Sequence, residues 1–145
     1  MARILVVDDS IIMRRNLRTI LAEAGHSVVA EASNGAQAYL EYKRHLPDLV
    51  TLDITMPFIN GVDALKNIIA DFPDAKIVIV SCTSNNKIIL EAMQCGAGNY
   101  VLKPFTVEKV IGVINQVLHI SEPLSRETID RIYRALNSQP TIFHS

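Results

Sequence analysis

The chain has 145 residues, 49% of them apolar and 20% charged, and a formal net charge of −1 at neutral pH. That profile fits one folded domain and excludes a disordered chain. No block of basic residues stands out, which argues against nucleic acid or an anionic membrane surface as the main partner. No apolar run approaches the roughly 18 residues needed to cross a bilayer, and the run at residues 4–7 is too short for a signal-peptide core. Cys82 and Cys95 sit in apolar stretches and read as buried free thiols of a reducing compartment. A cytoplasmic location is the expectation.

In chain order, residues 4–7 form a continuous Val- and Ile-rich run, as do residues 77–80. Such runs suit strands covered on both faces. Met13, Leu17, Ile20, Leu21 and Ala24 recur at helical spacing, and Gly25 is a natural stop. Residues 28–32 predict a second strand and 35–45 a weaker helix. A third strand follows at 49–52. Val62, Leu65 and Ile69 make a helical stripe that Phe72-Pro73 ends. The fourth strand precedes a weak helix at 86–95, and residues 99–102 predict the fifth. Val107, Val110, Ile111, Ile114 and Val117 form the last strong stripe.

Strand and helix thus alternate five times, which predicts an α/β fold with a doubly wound parallel sheet and right-handed crossovers. After about His119 the pattern changes. Ser121-Glu122-Pro123 reads as a break. Ser125 is placed to cap a further helix with the stripe Ile129, Ile132, Tyr133 and Leu136. The division expected is one domain over residues 1–120 and a helical C-terminal extension over 121–145.

Doubly wound sheets bind ligands beyond the C-terminal ends of their strands. Asp8 and Asp9 follow the first strand, Asp53 the third, Ser81 the fourth and Lys103 the fifth. Packed carboxylates repel one another, and a divalent cation removes that conflict. Oxygen ligands without His or Cys select a hard ion, Mg²⁺ with Mn²⁺ as the alternative. Mg²⁺ keeps waters and takes phosphate oxygens, so a phosphate donor is the natural third party. Asp53 can serve as nucleophile as well as ligand. Lys103 and the metal would neutralise the transferred group, and Ser81 could donate to it. Taken singly, each residue is a turn acid, a strand-end hydroxyl or a solvated ammonium. Their joint placement at four strand ends makes the site.

These residues resemble the receiver domains of two-component response regulators over residues 3 to about 118. The resemblance rests on Val6-Val7-Asp8-Asp9-Ser10, Asp53-Ile54-Thr55-Met56-Pro57, Gly61, Ser81 and Lys103-Pro104-Phe105. The spacings agree: 44 residues from Asp9 to Asp53 and 22 from Ser81 to Lys103. The resemblance implies a flavodoxin-like strand order 2-1-3-4-5, with helices on both faces. It implies Asp53 as phosphoacceptor and Mg²⁺ on Asp9, Asp53 and the backbone carbonyl of Thr55, with Asp8 acting through water. It makes Lys103 the phosphate-binding cation, Ser81 the switch hydroxyl and Tyr100 the switch aromatic, and it makes Lys103-Pro104 a cis peptide. The segment 53–61 is most similar to single-domain chemotaxis regulators. Such a protein would take phosphate from a histidine kinase and signal to a downstream protein through its fourth helix, fifth strand and fifth helix. It would be a switch and not an enzyme, acting only on its own phosphorylation.

Two other classes compete. An aspartate-nucleophile phosphohydrolase needs a general acid near the nucleophile, and Thr55 cannot serve. A flavin module needs a phosphate-cradling loop where Asp8-Asp9 stands. The tail admits three readings: docking on the domain, self-association into a homodimer, or the start of a linker.

Overall fold

The computed structural model describes residues 1–55 and 61–138. Met56 and Pro57 of the sequence motif lie outside the described residues. Five strands alternate with helices: β1 (Arg3–Val7), α1 (Ile11–Glu23), β2 (Ser27–Ala32), α2 (Gly35–His45), β3 (Leu49–Leu52), α3 (Gly61–Asp71), β4 (Ile77–Ser81), α4 (Asn86–Gln94), β5 (Asn99–Leu102) and α5 (Val107–Val117). A further helix, α6 (Arg126–Asn137), follows. The sheet is parallel throughout, in the order β2-β1-β3-β4-β5.

The central strands are covered on both faces, which is why their sequences are continuous and not alternating. Side chains on successive residues face opposite sides. Leu5, Val7, Val50, Leu52, Ile77 and Ile79 therefore pack with α2 and α3, through residues such as Ala38, Leu65 and Ile68. Ile4, Val6, Leu49, Val78 and Val80 pack on the other side with Leu17 and Ile20 of α1 and Val110 and Ile114 of α5. Ile132 of α6 joins that second core and is fully buried.

The helix starts follow from side-chain caps. Ser10, Asn34, Asn85, Thr106 and Ser125 each accept a hydrogen bond from a first-turn amide of the helix they precede. Each satisfies a backbone N–H that has no partner inside the helix. Gly25 supplies the positive φ of 92° that turns the chain from α1 into β2.

One expectation fails. Cys82 and Cys95 are both free, but Cys82 is exposed and Cys95 only partly buried. β4 ends at Ser81, so Cys82 falls past the sheet and on the rim of the crevice.

Candidate functional site at the carboxyl edge of the sheet

Three backbones that carry the site are extensions of the β ladder. The Asp8 amide donates to Ala32 O at 3.0 Å, the Asp53 amide to Val7 O at 3.0 Å, and the Lys103 amide to Ser81 O at 2.9 Å. Each functional residue is thereby fixed one step beyond its strand, against the neighbouring strand. The side chains then converge. Asp8, Asp9 and Asp53 bring one carboxylate oxygen each within 4.8 Å of one another.

Asp8 and Asp53 are buried, at 1% and 4% exposure, while Asp9 is open to solvent. Asp8 uses both oxygens. Oδ1 accepts from the Ser10 amide at 2.9 Å and Oδ2 from Lys103 Nζ at 2.6 Å. The Lys103 ammonium also lies 3.4 Å from Asp53 Oδ2. Burial pushes the Asp8 carboxyl above the usual carboxylate range, against the downward pull of Lys103 and the Ser10 amide. Burial pulls the Lys103 ammonium down, but the hydrogen bond and charge of Asp8 outweigh it and the net shift is upward. Lys103 reaches both buried carboxylates and is placed to offset crowded negative charge. The Lys103-Pro104 peptide is cis.

Asp53 Oδ1 is held by Thr55 twice, through the amide at 2.9 Å and through the hydroxyl at 2.8 Å. The Thr55 hydroxyl is also 3.3 Å from Ser81 Oγ, and Ser81 is fully buried. Thr55 therefore bridges Asp53 and Ser81, the candidates for nucleophile and switch hydroxyl. Sequence reasoning made the Thr55 carbonyl a metal ligand and did not foresee this link of its hydroxyl to Asp53 and Ser81. The signal available was local: a hydroxyl two residues past an acid is the spacing at which a side chain and a turn amide close on one carboxylate. Tyr100 lies about half-buried against the core under α3 and α4, on the strand between Ser81 and Lys103.

Two further residues shape the site. Arg14 of α1 donates to the Asp8 carbonyl at 2.7 Å and pairs with Glu31 at 3.1 Å, tying the β1–α1 turn to β2. Gly61 opens α3 against the Asp53 loop. A Cβ there would stand 2.3 Å from Ile54 Cα and 2.4 Å from Asp53 O. Only glycine permits this approach.

The carboxylate set fits a hard divalent ion. Its donors are oxygens, two are buried and one is accessible, and Lys103 already compensates charge where a cation would. Such an arrangement can hold Mg²⁺, bind a phosphoryl group and present Asp53 to it.

Residues 4–115 match the model of the response regulator receiver domain. The chain is 45% identical to the chemotaxis protein CheY of Bacillus subtilis (strain 168), over 81% of this chain and 98% of that protein. It is 43% identical to CheY of Thermotoga maritima, over 79% and 96%. A crystal structure of the CheX–CheY–BeF3–Mg²⁺ complex from Borrelia burgdorferi superposes with a TM-score of 0.78 at 30% identity, covering 80% of this chain and 88% of that one. The strand order, the carboxylates at the strand ends and these similarities agree: the chain belongs to the response regulator receiver domain family.

Proposed function

We propose that this chain is a phosphorylation-driven switch that accepts a phosphoryl group from a histidine kinase onto Asp53 with Mg²⁺ and changes its binding to a downstream protein. Receiver domains are signalling phosphoacceptors, and they bind Mg²⁺ at an acidic pocket. The observation that carries the reading here is the meeting of Asp8, Asp9 and Asp53 with a partly buried ammonium and a buried hydroxyl. Lys103 and Ser81 are the two groups that phosphoryl oxygens require and that a mere acid cluster lacks.

Asp9, Asp53 and the Thr55 carbonyl would hold the metal, with Asp8 behind them. When bound, the metal supplies positive charge to the oxygens of the transferring group. The chain's own residues supply the rest. The Asp53 carboxylate bonds to phosphorus as the donor's P–N bond breaks, and the nitrogen leaves with the electron pair and takes a proton. Lys103 exchanges its contact with Asp53 for a phosphoryl oxygen. Ser81 and the Thr55 hydroxyl, now bonded to each other, are the donors free to turn toward the new group. A Ser81 that moves leaves space, and Tyr100 is placed to fill it. Phosphorylation would thereby shift a pre-existing equilibrium at α4, β5 and α5. Leu90 and Met93 of α4 and Leu102 of β5 are exposed there, at 56%, 37% and 41%. They give a partner an apolar surface.

The similarity to CheY supports an output in chemotaxis and a cytoplasmic location for this reading. No helix among the described residues is long and apolar enough to cross a membrane. The receiver unit is assigned to residues 1–120, and residues 121–145 are its extension.

The test is an intact mass after incubation with Mg²⁺ and phosphoramidate. The wild type should gain one phosphoryl group, and Asp53→Asn should gain none while keeping its melting temperature. A gain at the same rate in the Asn variant would remove Asp53 as acceptor. Steady phosphate release without an adduct would favour a hydrolase.

A further inference from the structure

α6 is tied to both helices that flank the phosphoacceptor site. Toward α1, Arg131 pairs with the Glu23 carboxylate at 2.8 Å and donates to its carbonyl at 3.1 Å. Toward α5, the Tyr133 hydroxyl accepts from the Val107 amide at 3.2 Å and donates to Glu108 at 2.8 Å. Val107 begins α5 immediately after the segment that carries Lys103. Between these ties Ile132 is the one fully buried side chain among the described residues of the helix.

The placement puts the end of α6 on the rim of the site. A cavity of about 590 Å³ runs from Asp8, Asp9, Asp53 and Lys103 across Met13 and Phe105 to Tyr133, Leu136 and Asn137. The acidic cluster is its polar end, and the last turn of α6 is part of its wall. Anything that carries a phosphoryl group to Asp53 from this side meets that wall. A short helix is unstable alone in water, so α6 depends on its contacts with α1 and α5: Ile132 is its fully buried side chain and Leu136 packs partly buried against the same core. A terminal helix seated on the edge of a core is the kind of element that opens without the rest of the fold.

We propose that α6 determines which phosphodonors reach Asp53. Docked, it admits a compact donor and obstructs one whose phosphoryl group is carried on a bulky body; released, it admits both. Tyr133, Leu136 and Asn137 are the specificity-determining residues. The inference rests on Asp53 being the phosphoacceptor. The chemistry is the same for either donor: the Asp53 oxygen–phosphorus bond forms, the P–N bond breaks, and the departing nitrogen takes a proton from solvent. Only access differs.

Two donors with the same scissile bond separate access from chemistry: phosphoramidate, and a synthetic peptide carrying phosphohistidine between bulky aromatic residues. Ile132→Ala loosens α6 without touching the site. Glu23→Cys with Arg131→Cys, in a Cys82→Ser, Cys95→Ser background, allows α6 to be fixed to α1 by a short bis-maleimide; the unbridged quadruple variant is the reference. Hydrogen exchange over residues 126–137 reports whether the helix is released or held. The measured quantity is the ratio of the peptide rate to the phosphoramidate rate. It should rise about tenfold on loosening and fall on bridging, as a shift in the open population requires. A change in the stated direction in at least one variant, with no opposite change in the other, supports the inference. A ratio unmoved by both, or moved the other way, overturns it. Failure of phosphoramidate to modify wild-type Asp53 would instead overturn the acceptor assignment beneath it, and is seen before any variant is made.

Discussion

Individual side chains carry costs that their neighbours only partly offset, and the buried His26 is one of them. It is buried at 7% exposure, and its Nδ1 accepts from the Ala2 amide at 3.1 Å. Burial and the nearby N-terminal ammonium hold its pKa below the ordinary 6.5, with the Asn115 side chain pulling the other way. The lowered folded value means that the native state resists the proton which the unfolded chain accepts. The stability this contributes is present above the unfolded pKa and is lost as pH falls through it toward the folded value. Stability should therefore decline as pH falls below the ordinary histidine value of 6.5, and His26→Asn should flatten that slope. Asparagine keeps an acceptor for Ala2 and cannot titrate. Urea midpoints above and below that value measure it, and an unchanged slope would assign the decline to other groups. His26 carries no sign of burial in the sequence, because it sits alone between Gly25 and Ser27. The Lys103–Asp8 pairing was equally hidden, since the ammonium was assigned to an incoming phosphate.

Whole elements were the most legible part of the sequence, for a physical reason. The strands at 49–52 and 99–102 have their bounds as read, and the stripe Val107, Val110, Ile111, Ile114 lies buried along α5. Burial of a continuous strand or one face of a helix writes a period into the residues themselves. Ile68 of α3 escaped, although it is fully buried, because two adjacent isoleucines leave the phase of a short helix undetermined. Contacts that join elements write no period. The close approach of Gly61 to Ile54 is of this kind: the motif names the glycine, but its reason is tertiary. Gly61→Ala forces backbone apart, and overpacking at such a point costs about 2–3 kcal/mol. For a chain of this size that lowers Tm by roughly 6–12 °C. The displaced loop carries Asp53, so phosphorylation by phosphoramidate should slow as well. A variant with wild-type Tm would show that the α3 start yields without cost.

At the scale of the whole molecule, the acidic cluster should make global stability respond to metal. Asp8 and Asp53 are buried carboxylates that share the Lys103 ammonium. Unfolding would separate them and release their mutual repulsion, whereas a bound cation would remove it in the native state alone. Mg²⁺ should therefore raise Tm by mass action, since the unfolded chain has no assembled site. With a dissociation constant on the order of a millimolar, as suits an ion that keeps its waters, a tenfold excess contributes about 1.4 kcal/mol. Two variants set the sign from opposite sides. Asp9→Ala removes the accessible ligand, so most of the Mg²⁺-dependent rise should vanish. Lys103→Met removes the resident positive charge, so the apo protein should melt lower while the rise on adding Mg²⁺ grows. A structural ion pair without a metal site would give a different result: Lys103→Met would lower Tm equally with and without Mg²⁺. Thermal scans of the three proteins across a Mg²⁺ titration, with Ca²⁺ as a comparison ion of larger radius, separate the two. Equal shifts in all three proteins would mean that the ion binds elsewhere and that the three carboxylates meet for structural reasons alone.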